Sequence, residues 1–504
     1  MKRRTVLALG VGLALAAALY APPPAAARGP GRLGVRAPAR TRDPIASSDN
    51  ASIWVELLLY DTLIRPTKDG TSLEPGLAEK WSVSPDGKEY VFTLRQAQFS
   101  DGSPVTADDV IFSLKRAAGE KSDWARFFKP ITSYEAVDDH TVRMRLDEPF
   151  TPMLNNLAMF SGSILPRALV EKDPEGFFAH PVGSGPFVLK EWRKGEAIVL
   201  AKNPHYWQPG KPAIDGAEIQ VIGEDNSRVL KLQAGELDAA IAIPFNQIQM
   251  LAAGGDIKVG AADVYRIELV QLNTTKKPFD DVRVRQALNY AVDKMGIIKT
   301  VLYGNAKPAV SSIPVMRYHN TDLKPYPYDP AKAKALLAEA GLGGGFSTTM
   351  LVPAGDDTYR AVAAIIQDNL KKIGVNVELQ AIEGGSQFST TKAGNYEMSL
   401  SYATSDTVDP DQLVGFTMVN PERANAFHTA WKDERVNELY ELERRTLDGP
   451  EREAQFKEIE ARVHDAAPFI FLYHQQAPYA YRANVEGFEV LPTSNYRLED
   501  VILK

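Results

Sequence analysis

The stretch "SYATSDTVDPDQL" places three carboxylates, Asp406, Asp409 and Asp411, within six residues. Acids crowded in this way can hold a metal ion, share a proton in acid/base work, clamp a cationic ligand, or end a turn ahead of a helix. The spacing is not that of an EF-hand, which needs alternate acids and a central Gly over about twelve positions. General acid/base use stays open, because the carboxylate separation that sugar hydrolysis depends on is set in three dimensions. Other chemistries are poorly served. The seven histidines are scattered, and the nearest pair, His464 and His474, does not have the H-E-x-x-H spacing. With no cysteine in the chain, thiolate metal sites, disulfides and Cys nucleophiles are excluded. No G-x-x-x-x-G-K-[ST] or G-x-G-x-x-G opens a helix, and "VGSGPF" reads as a strand entry because Pro186 follows its glycines. A nucleophile elbow G-x-S-x-G is missing, since Ser184 sits in G-S-G.

The elements that must position these acids alternate between helix and strand. "SDNASIWVELLLYDTLI" has helical spacing with Asp49 or Asn50 as its N-cap, and "EKWSVSPDGKEYVFTLR" reads as strand, Pro85-Asp86-Gly87 turn and strand. Thr106 and Asp109 stand in capping-box spacing ahead of a helix. In "YEAVDDHTVRMRL" the residues Val142, Met144 and Leu146 share one face of a hairpin. Strands follow at "GPFVLKEW", "EAIVLAK" and "AEIQVI", then a helix at "DNSRVLKLQAG". Asp329, Pro330 and Gly341 mark the cap, first position and stop of another helix. "TTMLVPAG", "DTYRAVAAIIQDNLKKIG" and "VNVELQAI" predict a strand, helix and strand joined by a parallel crossover. The class is α/β, with no internal repeat.

The N-terminus reads as an export signal: Lys2, Arg3 and Arg4, an apolar run from about Val6 to Tyr20, and a small-residue cleavage site near Ala27. The run is shorter than the ~20 residues that span a bilayer, so no membrane anchor is expected. Without a cysteine there is no thioether lipid either, and the predicted compartment is the periplasm. Removing residues 1–27 takes away three cations and no acid, moving the formal charge from −7 to −10. An acidic chain of this kind is not built for nucleic acid.

In order along the chain, "LEPGLAEKWSVSPDGKEYVFTLR", "FSDGSPVTADDVIFSLKRA", "GSGPFVLKEWRKGEAIVLAKNPHYW", "LNTTKKPFDDVRVRQALNYAVDK", "YDPAKAKALLAEAG" and "DAAPFIFLYH" resemble the large solute-binding proteins of peptide, nickel and opine ABC importers. The resemblance spans nearly the whole mature chain. It implies a two-lobed, hinged α/β binding protein of three domains, a monomer that does no chemistry on its ligand, needs no cofactor or metal, and hands the solute to an inner-membrane ABC permease. Domain I would comprise residues 28–64, 183–265 and 481–504, domain II residues 65–182, and domain III residues 266–480, after a signal at 1–27. The tryptophans Trp81, Trp192 and Trp207 are expected in the cores.

The same resemblance gives the acidic stretch its roles. Peptide-binding members carry a D-x-x-D-P-D segment whose first aspartate holds the ligand's α-ammonium, and Asp406 falls there. Asp409, followed by Pro410, reads as an N-cap, and Asp411 as a first-turn acid. Where peptide binders have Gly-Trp just before that aspartate, this chain has Tyr402 and Ala403, so the ligand's surroundings differ. Location in the resemblance adds Ser47, Ser48 and Asn50, and Met159, Phe160 and Ser161, as lining residues. An opine, nickel chelate or oligosaccharide is the alternative ligand within this fold. The alternative of another class is a secreted hydrolase using paired carboxylates.

Overall fold

The computed structural model describes residues 29–419 and 429–504. Two sheets carry most of the architecture. The smaller is an antiparallel four-stranded sheet of Ala78–Val83, Glu89–Leu94, Thr141–Leu146 and Ile131–Asp138, in that spatial order. Phe92, Val142 and Met144 alternate onto its buried face, and Val110, Leu114 and Ala117 of the helix Ala107–Ala117 cover them at i, i+4 and i+7. Full burial of each large apolar side chain contributes about 1.5–3 kcal/mol. Thr106 and Asp109 form the expected capping box at the start of that helix.

The larger sheet has twelve strands and is in effect two sheets sewn together by one strand, Phe469–Arg482. The first half of that strand pairs with Arg266–Leu272 and Ala306–Pro308, and its second half with Ala239–Ile241 and Ile257–Asp263. The crossover predicted between residues 346 and 382 is present: Phe346–Pro353 and Val375–Ile382 pair in parallel, joined by the helix Asp357–Lys371. Asp329 caps the helix Pro330–Glu339 through the amide of Lys332, and Gly341 just beyond it takes the left-handed φ of 79° that a stop requires. A mixed α/β class is therefore correct. Separate apolar cores lie under the four-stranded sheet and in each half of the large one, and the backbone crosses between the halves at Val264–Tyr265 and along Phe469–Arg482. Trp81, Trp192 and Trp207 pack against these cores but are only half buried. The N-terminal segment 1–27 lies outside the described residues, and no helix within them is long and apolar enough to cross a membrane.

Candidate functional site

Between the two halves of the large sheet lies a cavity of about 410 Å³, and beside it a smaller chamber of about 70 Å³. Trp54 and Tyr496 belong to the walls of both, with ring centroids 5.8 Å apart in an edge-on arrangement. Trp54 is delivered by the helix Asn50–Leu59, whose N-cap, Asp49, accepts from the Ser52 amide. That cap fixes the entry angle of the helix and so the position of the indole.

The larger cavity is walled by charge that is already paired. Arg266 and Glu268 sit two apart on the strand Arg266–Leu272 and so share a face, while Tyr402 lies directly opposite Glu268 on Met398–Thr404. Arg266 Nε donates to Glu268 Oε1 at 2.5 Å, its Nη2 donates to the Tyr359 hydroxyl at 2.9 Å, and that hydroxyl donates to Glu268 Oε2 at 2.8 Å. The guanidinium also stacks 3.7 Å over the Tyr402 ring. Burial is the largest influence on Arg266 and by itself would lower its pKa, but the Glu268 charge, Tyr359, Tyr402 and the hydrogen bond to Glu268 together outweigh it and the net shift is upward; burial raises that of Glu268. Arg36 closes one edge, bonded to Asp225 at 2.8 Å and to Asp356 at 2.5 Å. Asp356 meanwhile caps the helix Asp357–Lys371, so one carboxylate both starts a helix and ties it to the N-terminal strand's loop.

Asp406 lines the smaller chamber. Gln412 grips it from below, its Oε1 accepting from the Asp406 amide at 2.7 Å and its Nε2 donating to Asp406 Oδ2 at 3.0 Å. No ion pair reaches Asp406 among the described residues, and burial pushes its pKa up to about 6. Part of the side chain remains open to the chamber, and the desolvation comes from the protein packed around it.

The other two acids of the cluster turn away. Asp409 was expected as an N-cap, and its Oδ1 does accept from the Asp411 amide at 3.0 Å, but the helix Asp411–Thr417 begins after Pro410 instead of at it. The stronger engagement is with Arg452, whose Nη1 and Nη2 meet the two oxygens of Asp409 at 2.6 and 2.9 Å. Arg452 is fully buried and also bonds Glu443 at 2.7 Å. Asp411 does stand in the first turn, with Arg444 Nε 3.0 Å from it. These two are structural ion pairs.

Of the remaining candidates, Tyr402 and Asn50 line the large cavity and Phe160 the small chamber. Ser47, Ser48, Met159 and Ser161 are brought to neither: Ser47 is fully buried and donates to Glu56, Ser48 is exposed, Met159 sits in the core under the four-stranded sheet, and Ser161 is buried behind Phe160 in the chain. Sequence reasoning missed Trp54, Asp61, Arg266, Glu268, Tyr359 and Tyr496. The alternation "RIE" within an otherwise apolar strand was the available signal for Arg266 and Glu268, because two charges at i and i+2 must face one side together. Among the described residues no cluster of three or more His, Cys, Asp or Glu could hold a metal ion.

The model of the bacterial extracellular solute-binding proteins, family 5 Middle, matches residues 72–422. The chain belongs to this family. Among its relatives, this family 5 protein is 30% identical over 474 residues to the glutathione-binding protein GsiB of Shigella dysenteriae serotype 1, covering 92% of each chain. Two solved structures share its fold closely. The periplasmic binding protein DppA of Helicobacter pylori, in complex with the peptide STSA, is 29% identical with a TM-score of 0.85, covering 94% of this chain and 98% of that one. AgaA of A. tumefaciens R10, in complex with agropinic acid, is 28% identical with a TM-score of 0.84, covering 94% and 99%. The two-lobed binding-protein fold expected from the sequence is thus the observed one, and the family serves ABC importers.

Proposed function

We propose that this family 5 protein captures a peptide or similar amine-bearing solute between its lobes and delivers it to an ABC importer, with Asp406 holding the ligand's ammonium. The observation that carries this reading is a carboxylate inside the cleft, desolvated and without a cation of its own among the described residues. An isolated buried charge is expensive, and an arriving ammonium offsets that expense where a neutral ligand cannot. The apolar and aromatic walls beside it, with Trp54, Tyr402 and Tyr496, suit the body of such a solute. DppA with the peptide STSA supports a peptide, and GsiB a peptide-like thiol. An opine is the second reading, favoured by the likeness to AgaA with agropinic acid.

In this reading the protein is a monomer and performs no reaction on its ligand, and a secreted hydrolase is set aside because two of the three clustered carboxylates are consumed by Arg452 and Arg444. Domain I takes residues 28–64, 183–265 and 481–504, domain II 65–182 and domain III 266–480, with closure about the two crossings of the large sheet. The signal segment directs export and is cleaved near Ala27, leaving the mature protein free in the periplasm. Native mass spectrometry of protein purified from a periplasmic extract tests the ligand class. A heterogeneous set of short-peptide masses is expected, and a single discrete non-peptide mass would overturn the peptide reading.

A further inference from the structure

The small chamber holds more negative charge than one ammonium requires. Its charged lining residues are Asp61, Arg65, Asp406, Arg497 and Glu499. Arg65 pairs with Glu74 at 3.0 Å and with Glu499 at 3.4 Å, and Arg497 pairs with Glu74 at 2.8 Å. Two cations and two anions thus neutralise one another, and Asp61 and Asp406 are left over. Asp61 is only 7% exposed. Its Oδ2 accepts from the Trp207 indole at 3.0 Å, and it makes no ion pair among the described residues; Arg65 and Arg95 act on it only at longer range. In the same wall Tyr206, 8% exposed, has a hydroxyl that makes no well-formed hydrogen bond, with the Arg65 guanidinium beside it. A buried carboxylate without a cation and a buried hydroxyl short of a well-formed hydrogen bond, both lining one chamber, are what remains when a polar ligand group completes the site.

We propose that Asp61 is a second ligand-binding carboxylate, and that the small chamber takes the end of a solute bearing two cationic nitrogens, such as an N-terminal residue with an amine-bearing side chain. This rests on the reading of Asp406 as the clamp for the first ammonium. Asp61 follows the helix Asn50–Leu59, and Asp406 follows the strand Met398–Thr404, so the two carboxylates approach from elements anchored in different cores. A dication between them draws those elements together, and binding of the preferred solute is coupled to closure.

The probes are the dipeptides Lys-Ala and norleucyl-Ala, whose side chains differ by one ammonium, titrated calorimetrically at pH 8, where both carboxylates are ionised. Lys-Ala is expected to bind the wild-type protein at least about tenfold more tightly. In Asp61→Asn, which keeps an acceptor for the Trp207 indole, the ratio of the two affinities should fall to near one. In Asp406→Asn both peptides should weaken. A wild-type ratio near one, or a ratio unchanged in Asp61→Asn, overturns the second carboxylate but leaves the clamp. Undiminished binding of both peptides to Asp406→Asn, or binding of neither to the wild type, overturns the clamp and this inference with it. The ornithine and norvaline pair on the unmutated protein repeats the comparison if Asp61→Asn fails to fold.

Discussion

Replacing Asp406 by Asn should make the empty protein more stable and the loaded protein less so. Asp406 stands at about 6 where a carboxyl ordinarily stands at 3.8. At about 1.4 kcal/mol for each tenfold change in acidity, ionising it in the folded state costs about 3 kcal/mol at neutral pH. That is an upper bound, because the side chain still meets chamber water. The sign follows from proton linkage: the folded-state pKa lies above the unfolded one, so the folded form holds the extra proton between about pH 4 and 6. Stability therefore falls as pH rises through that window, and the deficit is complete above it. Ligand-free Asp406→Asn is expected to gain up to about 3 kcal/mol over wild type in urea unfolding at pH 8, and nothing at pH 4. Affinity for an amine-bearing peptide should drop by about 3–5 kcal/mol, two to nearly four orders of magnitude, because the ammonium loses its counter-charge. Opposite signs in the two assays are the mark of a residue held in readiness for a ligand. A variant that loses stability at pH 8, or keeps its gain at pH 4, would refute the reasoning.

For the wild type, the affinity of a monoamine peptide should fall about tenfold between pH 7 and pH 5, since Asp406 must give up its proton to hold an ammonium; a flat calorimetric profile would contradict this. Arg452→Met leaves Asp409 and Glu443 buried without their cation and should cost on the order of 3–5 kcal/mol, more at pH 8 than at pH 5, read by urea unfolding. Asp409→Ala should be similarly costly, well beyond the ~1 kcal/mol of a lost helix cap. Arg36→Ala cuts the tie from Asp225 to Asp356 at a half-exposed position, so stability should change by no more than about 1 kcal/mol while bound peptide leaves faster in stopped-flow experiments.

What the sequence determined by itself was local or serial. Asp329, Pro330 and Gly341 set a helix, Thr106 and Asp109 a capping box, and Val142, Met144 and Leu146 a buried face, because caps, turns and periodicity act over a few residues. Long motifs in a fixed order carried the family and with it the fold. Asp406 was found through that order, and its neighbour Asp409 shows where such reading stops. As a cap it needed only Pro410 and Asp411, but its partner Arg452 lies 43 residues away and is buried against it. Ser47 belonged to a plausible pocket loop until folding turned its hydroxyl to Glu56. Asp61 carried no signal at all, because what sets it apart is the missing cation beside it and the chamber it shares with Asp406. Both are properties of segments brought together from far apart in the chain. Tertiary structure alone decides which charges are desolvated and which are already paired, since these depend on distances between elements and not on the residues within one.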